Sequence, residues 1–125
     1  MKKCGTESIP LVQIDLSPEY KQNLRTLSKR YRNIRSDTQD VFEQIRAGNF
    51  VGDRIAGLGE NYIVIKVRVK NSNIQEGKSA GYRLVYQVES PTNVLLLTIY
   101  SKSDRDDISS IEILNILDSI SADDE

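Results

Sequence analysis

Three stretches of the chain hold most of the residues able to handle a phosphate. "YIVIKVRVK" (62–70) places Lys66, Arg68 and Lys70 at alternate positions. "GKSAGYRLVYQV" (77–88) sets Lys78 between glycines and Arg83 inside an apolar run. "TIYSK" (98–102) ends in Tyr100 and Lys102. Alternate residues of a strand share a face and lie roughly 7 Å apart. Three bases in that pattern repel unless they are solvated or an anion lies between them. The bland reading of "KVRVK" is therefore a solvated outer face, and the chemical one is a polyanion site. Arg83 has the same two readings. Its planar fork could grip two phosphate oxygens while its stem is buried, or it could form a structural ion pair with Glu89 or an acid of the C-terminal tail.

What is missing narrows the chemistry. "GKS" (77–79) resembles the end of a Walker loop, but position 72 is Ser where that loop needs Gly, and a strand-like run follows where it needs a helix. The chain has no His and one Cys, so a structural zinc site is not expected. No DxD-like cluster stands in the strands for two-metal nuclease chemistry, and no GxSxG or Cys/His pair offers a nucleophile. No cofactor or metal is expected. A surface of Lys, Arg and Tyr could still promote metal-free RNA cleavage, in which a ribose 2′-OH attacks the adjacent phosphorus. Cations would stabilise the charge of the phosphorane. A lysine of depressed pKa or a tyrosine could move the protons; the residue types leave that open.

The elements that must position these groups read as follows. With 125 residues the chain suffices for one domain with a core. Residues 1–10 read as a loose arm, 11–121 as a single domain and 122–125 as an acidic tail. A strand is expected over 11–16. Ser17 and Pro18 then open a helix whose Tyr20, Leu24, Leu27, Tyr31 and Ile34 fall on one face. A second helix over 35–48, capped by Ser36 or Asp37, would bury Val41, Phe42 and Ile45 and stop at Gly48. Residues 49–61 read as loop. Three strands follow with short connections, so an antiparallel meander is expected. Ile63, Ile65, Val67 and Val69 should face the helices. Val64, Lys66, Arg68 and Lys70 should line an open face. Ser109 and Glu112 are spaced as a capping box for a last helix with a stripe of Ile111, Leu114, Leu117 and Ile120. The class is α+β.

Charge is uneven along the chain. Residues 104–125 carry eight acids and one base, leaving sixteen bases against ten acids in 1–103, a net of +6. A basic body with an acidic tail suggests a polyanion partner, although a short acidic tail also aids solubility. No apolar run is long enough to span a bilayer, and the N-terminus lacks a signal-peptide core, so a cytoplasmic protein without membrane attachment is expected.

The set "GD-I-G" (52–57), "K-R" on a strand, "GKSxGYR" and "IYSK" before an acidic turn resembles the RelE/ParE toxin superfamily of type II toxin–antitoxin systems, closest to its HigB-like branch. The similarity covers about residues 11–120. The resemblance implies a RelE-like fold: an N-terminal strand, a helical hairpin, a three-stranded meander and a C-terminal helix. It implies a ribosome-dependent mRNA endonuclease acting at the A site of the 70S ribosome, held in check by a cognate antitoxin. It assigns Arg68, Lys78, Arg83, Tyr100 and Lys102 to catalysis, and Lys66 and Lys70 to RNA phosphate binding. Two departures stand out. "DDISSIEI" (106–113) lacks the tyrosine some members carry there, and "GKSAG" replaces the commoner "GKSGG". The rivals are a gyrase poison on the same fold and a non-catalytic binding module.

Overall fold

A computed structural model of the chain describes residues 11–73 and 81–123, with side chains up to residue 120. The chain forms β1 (Gln13–Leu16), α1 (Pro18–Arg30), a one-turn α2 (Ile34–Asp37), α3 (Gln39–Arg46), β2 (Asp53–Arg54), β3 (Val64–Val69), β4 (Tyr82–Ser90), β5 (Asn93–Ser101) and α4 (Ser110–Asp123). The class is α+β, but the meander is only the middle of a larger sheet. Five strands run in the order β1-β5-β4-β3-β2. β1 joins β5 in parallel, and β2, from the segment expected to be loop, pairs antiparallel with β3. The sheet is therefore mixed.

The helix signals behave as their chemistry requires. Ser17 caps α1, its hydroxyl accepting from Tyr20 N, with Pro18 at the first helical position. Tyr20, Leu27 and Ile34 are buried, and Leu24 and Tyr31 pack against them. The second helix is broken: Thr38 separates α2 from α3, its hydroxyl donating back to the carbonyls of Ile34 and Arg35. That local bond competes with regular helix. Val41 and Ile45 are buried as expected, and Phe42 is half-buried. Ser109 and Glu112 form the expected capping box, Glu112 N donating to the Ser109 hydroxyl and Ser109 N to the Glu112 carboxylate.

The sheet is covered on both faces. One core cluster joins Tyr20, Leu27, Ile34 and Ile45 of the helices to Ile65, Val69, Tyr82, Leu84, Tyr86 and Leu96. The second joins Val64, Val85, Leu95, Leu97 and Tyr100 to Ile108, Ile113 and Leu117. The face expected to be open is thus roofed for much of its length by α4. Val64 is a core residue there, not part of a solvated stripe. Ile63, expected under the helices, is 40 % exposed because it precedes the strand. The buried ridge of α4 is Ile113 and Leu117, one turn apart, whereas Ile111 is 71 % exposed. No helix among the described residues is long and apolar enough to cross a membrane.

Candidate functional site

Strand register decides which polar groups meet. Arg68 of β3 is the direct partner of Arg83 in β4, and Arg83 is the direct partner of Tyr100 in β5. The three residues form one row across the three central strands, near one end of the sheet. Lys66 lies in the next row, paired with Val85. Side chains alternate between faces along a strand. Val64, Val85 and Tyr100 belong to the α4 cluster, so Lys66, Arg68 and Arg83 share that face.

Tyr100 reaches this face only because β5 is irregular. Pairing shifts from Tyr86↔Leu96 to Val85↔Thr98, which makes Leu97 an extra residue. Leu96 and Ile99 both sit in the α1 layer although they are three apart, a spacing that an unbroken strand forbids. Without the bulge, Tyr100 would share the face of Leu96. Bulges re-aim side chains in this way. Ser17 holds this one: its N–H donates 3.0 Å to Leu96 O and its hydroxyl 2.8 Å to Leu97 O.

Beyond the row, Gly81 sits where β3, β4 and β5 end. A Cβ there would lie 2.3 Å from Val69 O and 3.5 Å from the Lys70 Cα, so only glycine permits this approach. Lys102 N donates 2.9 Å to Gly81 O. Lys70 and Lys102 therefore flank a residue with no side chain. Lys70 is exposed and forms no ion pair among the described residues. Lys78 lies outside the described residues.

The cations differ in their partners. Arg83 is 6 % exposed, and among the described residues its guanidinium makes one hydrogen bond, from Nη1 to Tyr82 O at 3.2 Å. No carboxylate among the described residues pairs with it. Glu89, the partner expected for a structural ion pair, is six residues along β4, about 20 Å at strand rise. Arg68 is exposed and likewise forms no ion pair among the described residues. Two guanidinium side chains directly opposite each other repel, and a buried charge without a partner is unfavourable. An anion between them would relieve both.

Lys66, Tyr100 and Lys102 are instead engaged by the 103–108 turn. Asp107 Oδ1 accepts from Lys66 Nζ at 2.6 Å, from Ile108 N at 2.8 Å and from the Tyr100 hydroxyl at 3.3 Å. The Lys66 bond, followed by that of Ile108 N, holds the Asp107 carboxyl below the usual carboxylate range. Burial, and then Asp107, push Tyr100 up to about 12. A tyrosine so raised stays protonated at neutral pH, so it can donate a hydrogen bond but is a poor base. Lys102 Nζ donates 2.9 Å to Asp106 O and lies 3.6 Å from its carboxylate. Arg105 stacks on the Tyr100 ring at 5.3 Å and bonds Glu112 at 2.6 Å.

The structure thus gathers Lys66, Arg68, Arg83 and Tyr100 on one face and sets Lys70 and Lys102 at its end. Sequence reasoning missed Asp107 and Arg105. The signal was their distance along the chain: seven and five residues past Tyr100, a turn has little choice but to fold back over the strand end. Among the described residues no group of three His, Cys, Asp or Glu could hold a metal.

Fold and site together define an α+β protein with a cationic row at one end of a mixed sheet. Comparison with protein-family models, with characterised proteins and with solved structures returned no match.

Proposed function

We propose that the chain is the toxin of a type II toxin–antitoxin system, a HigB-like member of the RelE/ParE superfamily, working in the cytoplasm. It would enter the ribosomal A site, cleave mRNA by 2′-OH attack without a metal, and be neutralised by a cognate antitoxin. The observation that carries this reading is the row Arg68–Arg83–Tyr100, in which Arg83 is buried with no carboxylate partner among the described residues. A scissile phosphate seated there would meet two guanidinium forks, and the Tyr100 hydroxyl would donate to a phosphate or leaving oxygen. Lys66, Lys70 and Lys102 would hold flanking phosphates once Asp107 and Asp106 give way.

The test is cleavage of message on programmed ribosomes by the full chain. Arg83→Ala should lower the rate by roughly 10²–10³, the size expected for loss of one transition-state donor. An unchanged rate would remove Arg83 from the chemistry. A second reading, a non-catalytic binding module, is favoured by the pairing of Lys66 with Asp107 and of Lys102 with Asp106. It predicts no cleavage by the parent protein on any ribosome complex.

A further inference from the structure

The other side of the molecule carries a second cationic surface. Lys21, Arg25 and Lys29 are exposed at four-residue intervals on α1, and exposed Arg32 follows the helix end. None of the four forms an ion pair among the described residues; the neighbouring Arg30 is the one committed to an acid, Asp104. Helix-end electrostatics explains part of this pattern. Bases near a C-terminus are favourable with the helix dipole, which covers Lys29 and Arg32. It does not cover Lys21, in the first turn, or Arg25. Like charges at i, i+4 oppose each other, and Lys21–Arg25 and Arg25–Lys29 are two such pairs.

The chemistry of the surroundings chooses the partner. The residues beside the stripe are polar, among them Gln22, Thr26 and Ser28. The apolar side of α1, with Tyr20, Leu24, Leu27 and Tyr31, is spent on the core. A membrane-surface helix needs that apolar side free, and a protein interface needs a desolvated centre. Cations about 6 Å apart along a straight helix, with no apolar content, suit successive phosphates of a nucleic-acid strand.

We propose that Lys21, Arg25 and Lys29, extended by Arg32, form a docking surface for the phosphate backbone of a nucleic-acid helix, separate from the row on the opposite face of the sheet. The stripe would hold the molecule against a folded nucleic acid while the row works on another strand.

The experiment measures binding of the full chain to a short blunt-ended RNA duplex, to the same sequence as DNA, and to poly-glutamate, over a range of salt. The stripe variants leave every residue of the row in place and the readout is duplex binding, not cleavage, so failure of the cleavage proposal leaves this measurement intact. The triple variant Lys21→Gln/Arg25→Gln/Lys29→Gln should unfold at the parent's temperature, because all three residues are exposed. It should bind duplex at least about tenfold more weakly, with the salt slope reduced by about 2 to 3. Lys21→Arg/Arg25→Lys/Lys29→Arg should retain binding. Tighter binding of RNA than DNA assigns the helix to RNA, and equal binding assigns it to either. The proposal is overturned if the triple variant keeps the parent's duplex affinity and slope, if the parent binds no duplex at low salt, or if only poly-glutamate binding depends on the stripe.

Discussion

Tyr82 and Arg83 are neighbours on β4, yet they enter opposite layers of the protein. Tyr82 is fully buried against α1, its ring edge-on to Tyr31 at 5.7 Å, and its hydroxyl finds no hydrogen-bond partner among the described residues. Tyr20, across the same layer, is likewise buried with an unpartnered hydroxyl. On the other face, Tyr100 is almost as buried but bonds Asp107 and lies under Arg105. The first layer uses Tyr20 and Tyr82 as bulk, and the second uses Tyr100 as a polar group in a network of charges. One extra residue in β5 separates the two uses. The bulge at Leu97 therefore matters as much to the site as the identity of Tyr100.

The largest effect should come from disturbing that bulge. Ser17→Ala removes the cap of α1 and leaves Leu97 O, a buried carbonyl, without its donor. The lost cap costs about 1 kcal/mol and the stranded carbonyl about 1–3. We expect a total near 2–4 kcal/mol in urea denaturation, with the slope unchanged. Ser17→Thr keeps the hydroxyl and should recover most of it. A loss below about 0.5 kcal/mol would show that the bulge stands without Ser17, and the contrast between the faces would need another cause.

A smaller effect should follow from Asp107→Asn. The carboxylate sits on Lys66 and Tyr100, where it repels any incoming phosphate. Neutralising it should tighten binding of inorganic phosphate or a short single-stranded RNA about tenfold, equivalent to about 1.4 kcal/mol. The pH dependence has a definite sign. Asp107 titrates below the usual carboxylate range, so it is charged at neutral pH. The stability its bonds contribute is present above the ordinary carboxylate pKa and is lost as pH falls through the lowered one. Parent and variant should therefore differ in affinity above about pH 4 and converge only below it. Weaker binding by the variant would mean that Asp107 arranges Lys66 and Tyr100 for the anion instead of competing with it.

Much of this architecture is written in local chemistry. The Ser17–Pro18 start of α1, the Ser109–Glu112 box and the burial of Ile65 and Val69 follow from capping and periodicity. The convergence of Lys66, Arg68, Arg83 and Tyr100 was legible as a possibility, because short connections force an antiparallel register. What escaped depends on contacts distant in sequence. β1 finds β5 across some eighty residues, and β2 is two residues long, too short to show a period. The bulge has no signature of its own, since "NVLLLTIYS" alternates nothing. The covered second face was missed because Val64 interrupts a pattern that otherwise reads as basic and solvated. Asp107 belongs to an acidic run that in isolation reads as a solvated turn.

The finest test compares the tyrosines themselves. Tyr82→Phe deletes a hydroxyl that is buried without a partner, so it should cost nothing and could gain up to about 1 kcal/mol. Tyr86→Phe removes a hydroxyl that donates to Val51 O, and should cost about 0.5–1.5 kcal/mol. Alkaline titration extends the contrast. Burial raises Tyr20, Tyr82 and Tyr86 well above the ordinary tyrosine value. In Tyr100 burial and Asp107 act together, to about 12. A raised pKa means that the fold favours the protonated form. Its contribution is complete below the unfolded value near 10 and is lost as pH rises through the folded one. Tyrosinate absorbance should therefore lag behind that of the unfolded chain, and the urea midpoint should fall from pH 10 upward. Asp107→Asn should bring forward the ionisation of Tyr100 and leave the α1-side tyrosines where they were. If all of them moved together, the two layers would be coupled through the sheet, and the separation drawn from the bulge would fail.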